Sequence, residues 1–352
     1  MAPASSSPKP YPLYETSFTL QRLSPLYTGS ESPFDNATLQ IYAKQLRDVL
    51  AGDILRGVRV GMPELEDNVI ARVGALQTVT WKLLPEEDLW ATDDETQITR
   101  NDDTTMSLAS ARGVLVTITY EKASYTAILL RDMQADQDES MIGVGLDGFG
   151  FESFPLLLTK MPATLREPFA NFLATTFDAR VSVIQLPSAY LTTSFEQYLA
   201  YICVGEDGDP LDSVESSRAL RTMVGSVDIS VGFDLPGGSA ALKTIDIQIA
   251  REDIPRMISR GKKARHGTEI PFTDALTAYV SAHLALSLTH EMVCIKSIAC
   301  EAFVLGSRGV AKFSMPQVGY EGDSPQRRAT RRLINRLITF AKGGAMAAGE
   351  WP

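Results

Sequence analysis

The chain has 352 residues, 44% hydrophobic and 22% charged, which excludes disordered, fibrous and small disulfide-stapled classes and leaves length for two lobes. The net charge of −10 hides an uneven distribution, with acids gathered at 85–103, 131–140 and 205–215 and bases at 256–267 and 327–342. Cys203, Cys294 and Cys300 show no paired spacing, which reads as buried thiols in a reducing compartment and argues against disulfides or a zinc ribbon. The first residues lack the apolar core of a secretory signal, and no apolar run approaches the roughly 20 residues of a membrane span. The expectation is a soluble intracellular protein with no membrane partner.

A Pro/Ser-rich segment at 1–13 reads as a flexible tail. Residues 18–23 predict an edge strand that Pro25 ends, because proline has no N–H for a ladder and makes Ser24 extended. Leu26 and Tyr27 should then pack onto a first helix capped by Asn36, carrying Leu39, Tyr42, Leu46 and Val49, and closed by Gly52. Strands are predicted at 54–60, 78–84, 113–120 and 124–131, the last two as a hairpin. A helix at 165–176, a strand at 180–186 and a helix capped by Ser188 complete an N-terminal lobe over 14–204.

The acidic stretch 205–224 is the expected linker, and 225–315 the C-terminal lobe. Strands at 226–233 and 243–250 open that lobe, the second with Ile245, Ile247 and Ile249 alternating as on one buried face. A helix capped by Thr273 and running to Leu288 precedes closing strands that end near Ser314, and a basic extension occupies 316–352. The fold class is α+β, two lobes built on mainly antiparallel sheets flanked by helices.

Catalytic motifs are weak. Gly143 to Gly148 spell GxGxxG, but a polar stretch precedes them and no helix follows, so a loop is the better reading than a dinucleotide site. "GFDLPGGS" at 232–239 lacks the Lys-Ser/Thr ending of a phosphate loop and fits a hairpin connection. His283, His290 and Cys294 would make a metal set only if one helix ran through both histidines, and core or surface histidines are the simpler reading. No catalytic constellation and no cofactor is expected. An enzyme using the glycine-rich loops on a nucleotide or phosphorylated substrate is the alternative.

The basic segments carry more. At 3.6 residues per turn, Leu333, Ile334, Leu337, Ile338 and Ala341 share one side of a helix, with Arg328, Arg332 and Arg336 opposite. That pattern fits a docked helix with a solvated arginine face, a nucleic-acid phosphate contact, or a membrane or partner groove. Ser324-Pro325-Gln326-Arg327 has the form of a proline-directed phosphorylation site, whose phosphate beside the arginines would weaken DNA binding. Lys262, Lys263 and Arg265 form a turn-like segment, either an exposed loop or a DNA-backbone contact. Neither segment interleaves aromatics, so base stacking is not indicated.

Thr19-Leu20, Leu23-Ser24-Pro25-Leu26-Tyr27 and the helix that follows resemble the start of the centromere protein L (CENP-L) family. The central stretch from Phe154, with Phe172, Leu173, Phe177 and Asp178 at a helix end, is similar to the family's Leu/Pro segment. "IDIQIAREDIPRMI" and the closing strands continue the resemblance, over about 14–314 in all. Phe18 stands where the family pattern has tryptophan, and the basic extension has no counterpart. The resemblance implies a non-enzymatic inner-kinetochore subunit. It implies pairing with a CENP-N-like protein within the constitutive centromere-associated network, close to the centromeric nucleosome and its DNA. It further implies pairing through the C-terminal lobe, with Val293, Ile295, Phe303, Val304, Leu305 and Phe313 on a partner-binding sheet edge.

Overall fold

The computed structural model describes residues 10–29, 34–55, 73–90, 108–132, 150–205, 208–234, 244–316 and 324–343. The chain divides into two compact units: one of 1–12, 18–183 and 337–352, the other of 13–17 and 184–336. The division after Val183 lies upstream of the expected linker at 205–224, much of which is instead helical. Among the described residues the class is α+β with antiparallel pairing throughout the ladders, as the alternating patterns required.

In the first unit, β1 (Ser17–Leu23), β2 (Leu26–Tyr27), α1 (Asn36–Leu55), β3 (Leu76–Leu84), β4 (Gly113–Tyr120) and β5 (Ser124–Leu130) come first. They are followed by β6 (Phe151–Glu152), β7 (Leu156–Lys160), α2 (Ala163–Phe177) and β8 (Val181–Val183). The sheet runs β8-β1-β7-β5-β4-β3, so β1 is flanked on both sides. Pro25 therefore ends an interior strand and not the edge strand expected, and Ser24 is held by mutual bonds with Arg180: its N–H donates to the Arg180 carbonyl at 3.0 Å and its Oγ accepts the Arg180 N–H at 2.8 Å. Leu26 is buried, while Tyr27 is exposed and lies against Phe151 of β6 rather than on α1.

The α1 cap is Asp35, one residue earlier than expected: its Oδ1 accepts the Thr38 N–H at 2.8 Å. The helix continues past Gly52 to Leu55, and the rest of the strand expected at 54–60 lies outside the described residues. Phe34, Tyr42, Trp81, Phe169, Phe172 and Phe177 form an aromatic cluster, tightest at Tyr42–Phe177 with centroids 4.7 Å apart. Such pairs add about 0.5–1.5 kcal/mol each beyond area burial. The expected tail is partly folded: Tyr11 is buried, donates its hydroxyl to the Pro85 carbonyl at 2.8 Å and meets Trp90 edge-on.

The second unit contains α3 (Ser188–Ile202), α4 (Ser213–Met223), β9 (Val227–Phe233), β10 (Thr244–Ile249), α5 (Ile254–Ala264) and α6 (Pro271–Leu284). Three further strands follow: β11 (Val293–Cys300), β12 (Phe303–Gly306) and β13 (Val310–Phe313). Its sheet order is β10-β9-β11-β12-β13, and Tyr14 bridges to Phe313 beyond β13. Ser188 does not cap α3; its Oγ accepts the Ile295 N–H at 2.9 Å and ties the helix to β11. Phe195 meets Phe272 at 5.2 Å, and Tyr198 meets Phe303 at 4.9 Å, seating α3 in the core. Asp212 caps α4 by accepting the Val214 and Glu215 N–H groups, each at 2.8 Å, so the acidic stretch nucleates a helix.

α7 (Pro325–Ala341) is shared between the units, divided after Arg336. Ala329, Leu333, Ile334, Leu337, Ile338 and Ala341 are all buried, so the apolar stripe read from the sequence is a docking face. Its C-terminal end is held by the Arg22 guanidinium, which donates to the Phe340 carbonyl at 3.3 Å, and by a 2.6 Å ion pair between Lys342 and Asp132.

Candidate functional site

The strands proposed for partner contact are interior. β12 pairs with β11 on one side and β13 on the other, so Phe303, Val304 and Leu305 offer no free edge. Ile295, Phe303, Leu305 and Phe313 are buried core, and only Val293 and Val304 are half-buried. The sequence marks these residues as strand, but strand order is set by which ladders close in three dimensions. Among the described residues β10 has a single neighbour, β9, in register from Thr244 opposite Gly232 to Ile249 opposite Val227. Its other side is the open edge of this unit, with Ile245 and Ile247 half-buried and Thr244, Asp246 and Gln248 exposed.

The basic segment is the end of a helix. Ile254, Met257 and Gly261 are the buried side of α5, and Arg256, Arg260, Lys262 and Lys263 are exposed. Arg265 closes the helix by donating its N–H to the Gly261 carbonyl at 3.0 Å. Gly261 permits close approach to α6: a Cβ there would lie 1.8 Å from the Pro271 carbonyl oxygen. Arg256 pairs with Asp253 at 3.1 Å, whereas Arg260, Lys262, Lys263 and Arg265 make no ion pair among the described residues. The sequence reading missed Arg260, which the 256–260–263 helical spacing would have found. It also missed Arg218 and Arg221, exposed on α4, which packs beside α5. The resulting surface has several unpaired cations and no aromatic platform, chemistry suited to phosphate oxygens rather than base edges.

The arginines of α7 meet α3 at the surface: Arg328 and Arg336 are half-buried, and Arg332 is exposed. Arg328 donates to the Gly205 carbonyl at 3.1 Å and the Val204 carbonyl at 3.4 Å, at the C-terminal end of α3 where carbonyls lack helical partners. The Arg332 guanidinium lies 4.2 Å from the Tyr201 ring centroid and that of Arg336 lies 5.9 Å from the Tyr190 ring. Burial pushes the Tyr190 hydroxyl up to about 12, offset in part by Arg336 and Ser194. This row ties α7 to α3, so these arginines have partners within the chain, while Arg332 stays open to solvent. Helical spacing placed the three arginines together but carried no information that tyrosines of another helix would meet them.

Ser324 is the N-terminal cap of α7. It is buried, its Oγ accepts the Arg327 N–H at 3.2 Å and its carbonyl accepts the Arg328 N–H at 3.0 Å. A kinase could reach this hydroxyl only if the start of α7 opened.

The residues weighed for catalysis do not converge. α6 ends at Leu284, with Ala285 left-handed at φ 51°, so His283 and His290 do not share a helix. His283 lies 4.3 Å from the Tyr279 ring, and His290 Nδ1 accepts the Met292 N–H at 3.1 Å. Among the described residues no group of three His, Cys, Asp or Glu could hold a metal ion. The Gly143 to Gly148 stretch lies outside the described residues, as does most of 232–239. Thr273 is not a cap; the start of α6 is capped from α3 by Glu196, which accepts the Thr273 N–H at 2.6 Å. Burial raises this carboxyl from 4.5 to about 7, against the lowering effect of the Thr273 and Phe272 N–H groups.

No helix among the described residues is long and apolar enough to cross a membrane. No curated protein sequence matches the chain. The sequence model of the family described as centromere protein L, CENP-L, matches residues 12–342, nearly the whole chain. The match reaches through α7, past the end of the stretch whose motifs resembled the family. The chain belongs to the centromere protein L family and is a kinetochore subunit.

Proposed function

We propose that the chain is a non-enzymatic subunit of the constitutive centromere-associated network, pairing with a CENP-N-like protein and touching the DNA backbone near the centromeric nucleosome. The family match over 12–342 carries this reading, because family membership places the chain in the inner kinetochore, at the nuclear centromere. Pairing is assigned to the open edge of β10 in place of β11–β13, since β10 has one ladder neighbour along its whole length among the described residues. A partner strand added there would have Ile245 and Ile247 to pack against. DNA contact is assigned to Lys262, Lys263 and Arg265, joined by Arg260, and no longer to the α7 arginines.

Co-expression with a CENP-N-like chain should give a one-to-one complex that Ile245→Asp with Ile247→Asp disrupts. Failure to co-purify with any such chain refutes the pairing. Replacing Lys262, Lys263 and Arg265 by alanine should weaken duplex binding regardless of base sequence. It should also flatten the slope of log K against log salt by about 0.9 for each phosphate no longer neutralised. An unchanged slope removes these residues from the interface.

A further inference from the structure

We infer that Ser259 is a phosphorylation site for an arginine-directed kinase and that its phosphate switches off the α5 surface. The inference rests on the reading of that surface as a DNA-backbone contact. Ser259 is exposed on α5, among the cations and away from the buried Met257 and Gly261. Arg256 stands three residues before it and Arg260 directly after it. A guanidinium at the third position before the acceptor is the charge pattern by which acidic kinase pockets select substrates.

On the helix, Ser259 neighbours Arg256, Lys262 and Lys263, at three or four residues' separation and roughly 5–6 Å between Cβ atoms. Lys262 and Lys263 have no ion pair among the described residues, so a phosphate at Ser259 competes for cations that no carboxylate already holds. It carries about −1.5 to −2 at neutral pH, enough to offset two of them. Ser324 differs on each count: it is buried, its hydroxyl serves a cap, and the nearby Arg328 is bound to carbonyl oxygens.

The reaction transfers the γ-phosphoryl group of ATP to Ser259 Oγ. The new O–P bond forms as the bond to the β-phosphate oxygen breaks, ADP leaves, and the hydroxyl proton passes to the kinase base. Kinases hold substrates extended, so the last turns of α5 must open for transfer, and that opening sets the rate.

The full-length protein should be incubated with ATP and the catalytic subunit of an arginine-directed kinase and mapped by peptide mass spectrometry. Binding of a fluorescent DNA duplex should then be measured by anisotropy across a salt series. We expect one phosphate on Ser259, absent from Ser259→Ala and reduced in Arg256→Ala. Phosphorylation should lower duplex affinity on the order of tenfold near 0.1 M salt and flatten the slope by about 2. Ser259→Ala without kinase should bind as the parent does. No incorporation at Ser259 overturns the inference and leaves the DNA reading standing, as does incorporation with unchanged affinity. If unmodified protein binds the duplex equally well with and without Lys262, Lys263 and Arg265, the DNA reading fails and this inference with it.

Discussion

Replacing Glu196 by glutamine should raise the stability of the second unit at about pH 8 and leave it nearly unchanged at about pH 4. The carboxyl is buried at 4% exposure and caps the N-terminus of α6 through the Thr273 N–H. Burial lifts its pKa from 4.5 to about 7, so the folded chain holds this proton more tightly than the unfolded one. Between those values the folded state binds more protons, and stability therefore falls as pH rises from 4.5 through about 7 and levels off above. At about 1.4 kcal/mol per tenfold difference in proton affinity, the full loss from this one group is about 3 kcal/mol. Glutamine cannot ionise, yet its amide oxygen can still accept the Thr273 N–H. The difference between variant and parent should thus grow from near zero at about pH 4 to about 3 kcal/mol in favour of glutamine at about pH 8. The charge of Asp274 adds to the rise at Glu196, and glutamine removes that repulsion together with the ionisable group. Urea unfolding followed by circular dichroism at several pH values measures it. A difference independent of pH, or one favouring the parent at pH 8, would show that Glu196 is not a buried ionising cap.

Gly261→Ala should lower stability by about 1–3 kcal/mol, because the new Cβ meets backbone at Pro271 that no rotamer change can clear. An unchanged thermal midpoint would contradict the close α5–α6 approach. Arg328→Ala should cost roughly 1–2 kcal/mol by removing the donor from the Val204 and Gly205 carbonyls, and should leave duplex affinity unaltered. A loss of DNA affinity without loss of stability would return that arginine to the interface. Tyr11→Phe should cost about 1 kcal/mol by removing the bond to Pro85, read by the same denaturation assay, and no change would mean the segment does not dock as described.

Much of the architecture is local enough to be read from the chain. Alternation at β9 and β10, the hairpin of β4 and β5, and the apolar stripe of α7 each follow from side-chain periodicity, which a residue's own neighbours determine. Family membership was equally legible, since it rests on the order of such elements along the sequence. Caps were less so. Asp35 and Asp212 act as local side chains should, but Ser188 was drawn away to β11 and α6 took its cap from Glu196, 77 residues distant.

Both parts of the candidate site turned on contacts that spacing cannot encode. Arg328, Arg332 and Arg336 read as one solvated stripe, but Val204, Gly205, Tyr201 and Tyr190 lie beside them and only Arg332 stays exposed. Lys262 and Lys263 look like a loop until Gly261 is seen to lock the same segment as a helix against Pro271, leaving the cations outside. Strand identity was likewise visible in β10, β11 and β12, but which of them is an edge depends on ladders between residues far apart in sequence. Residue order alone was enough to show which faces are apolar, which segments are basic and to which family they belong. Which charges and strand edges are left for a partner came from the folded chain, because long-range packing consumes the rest.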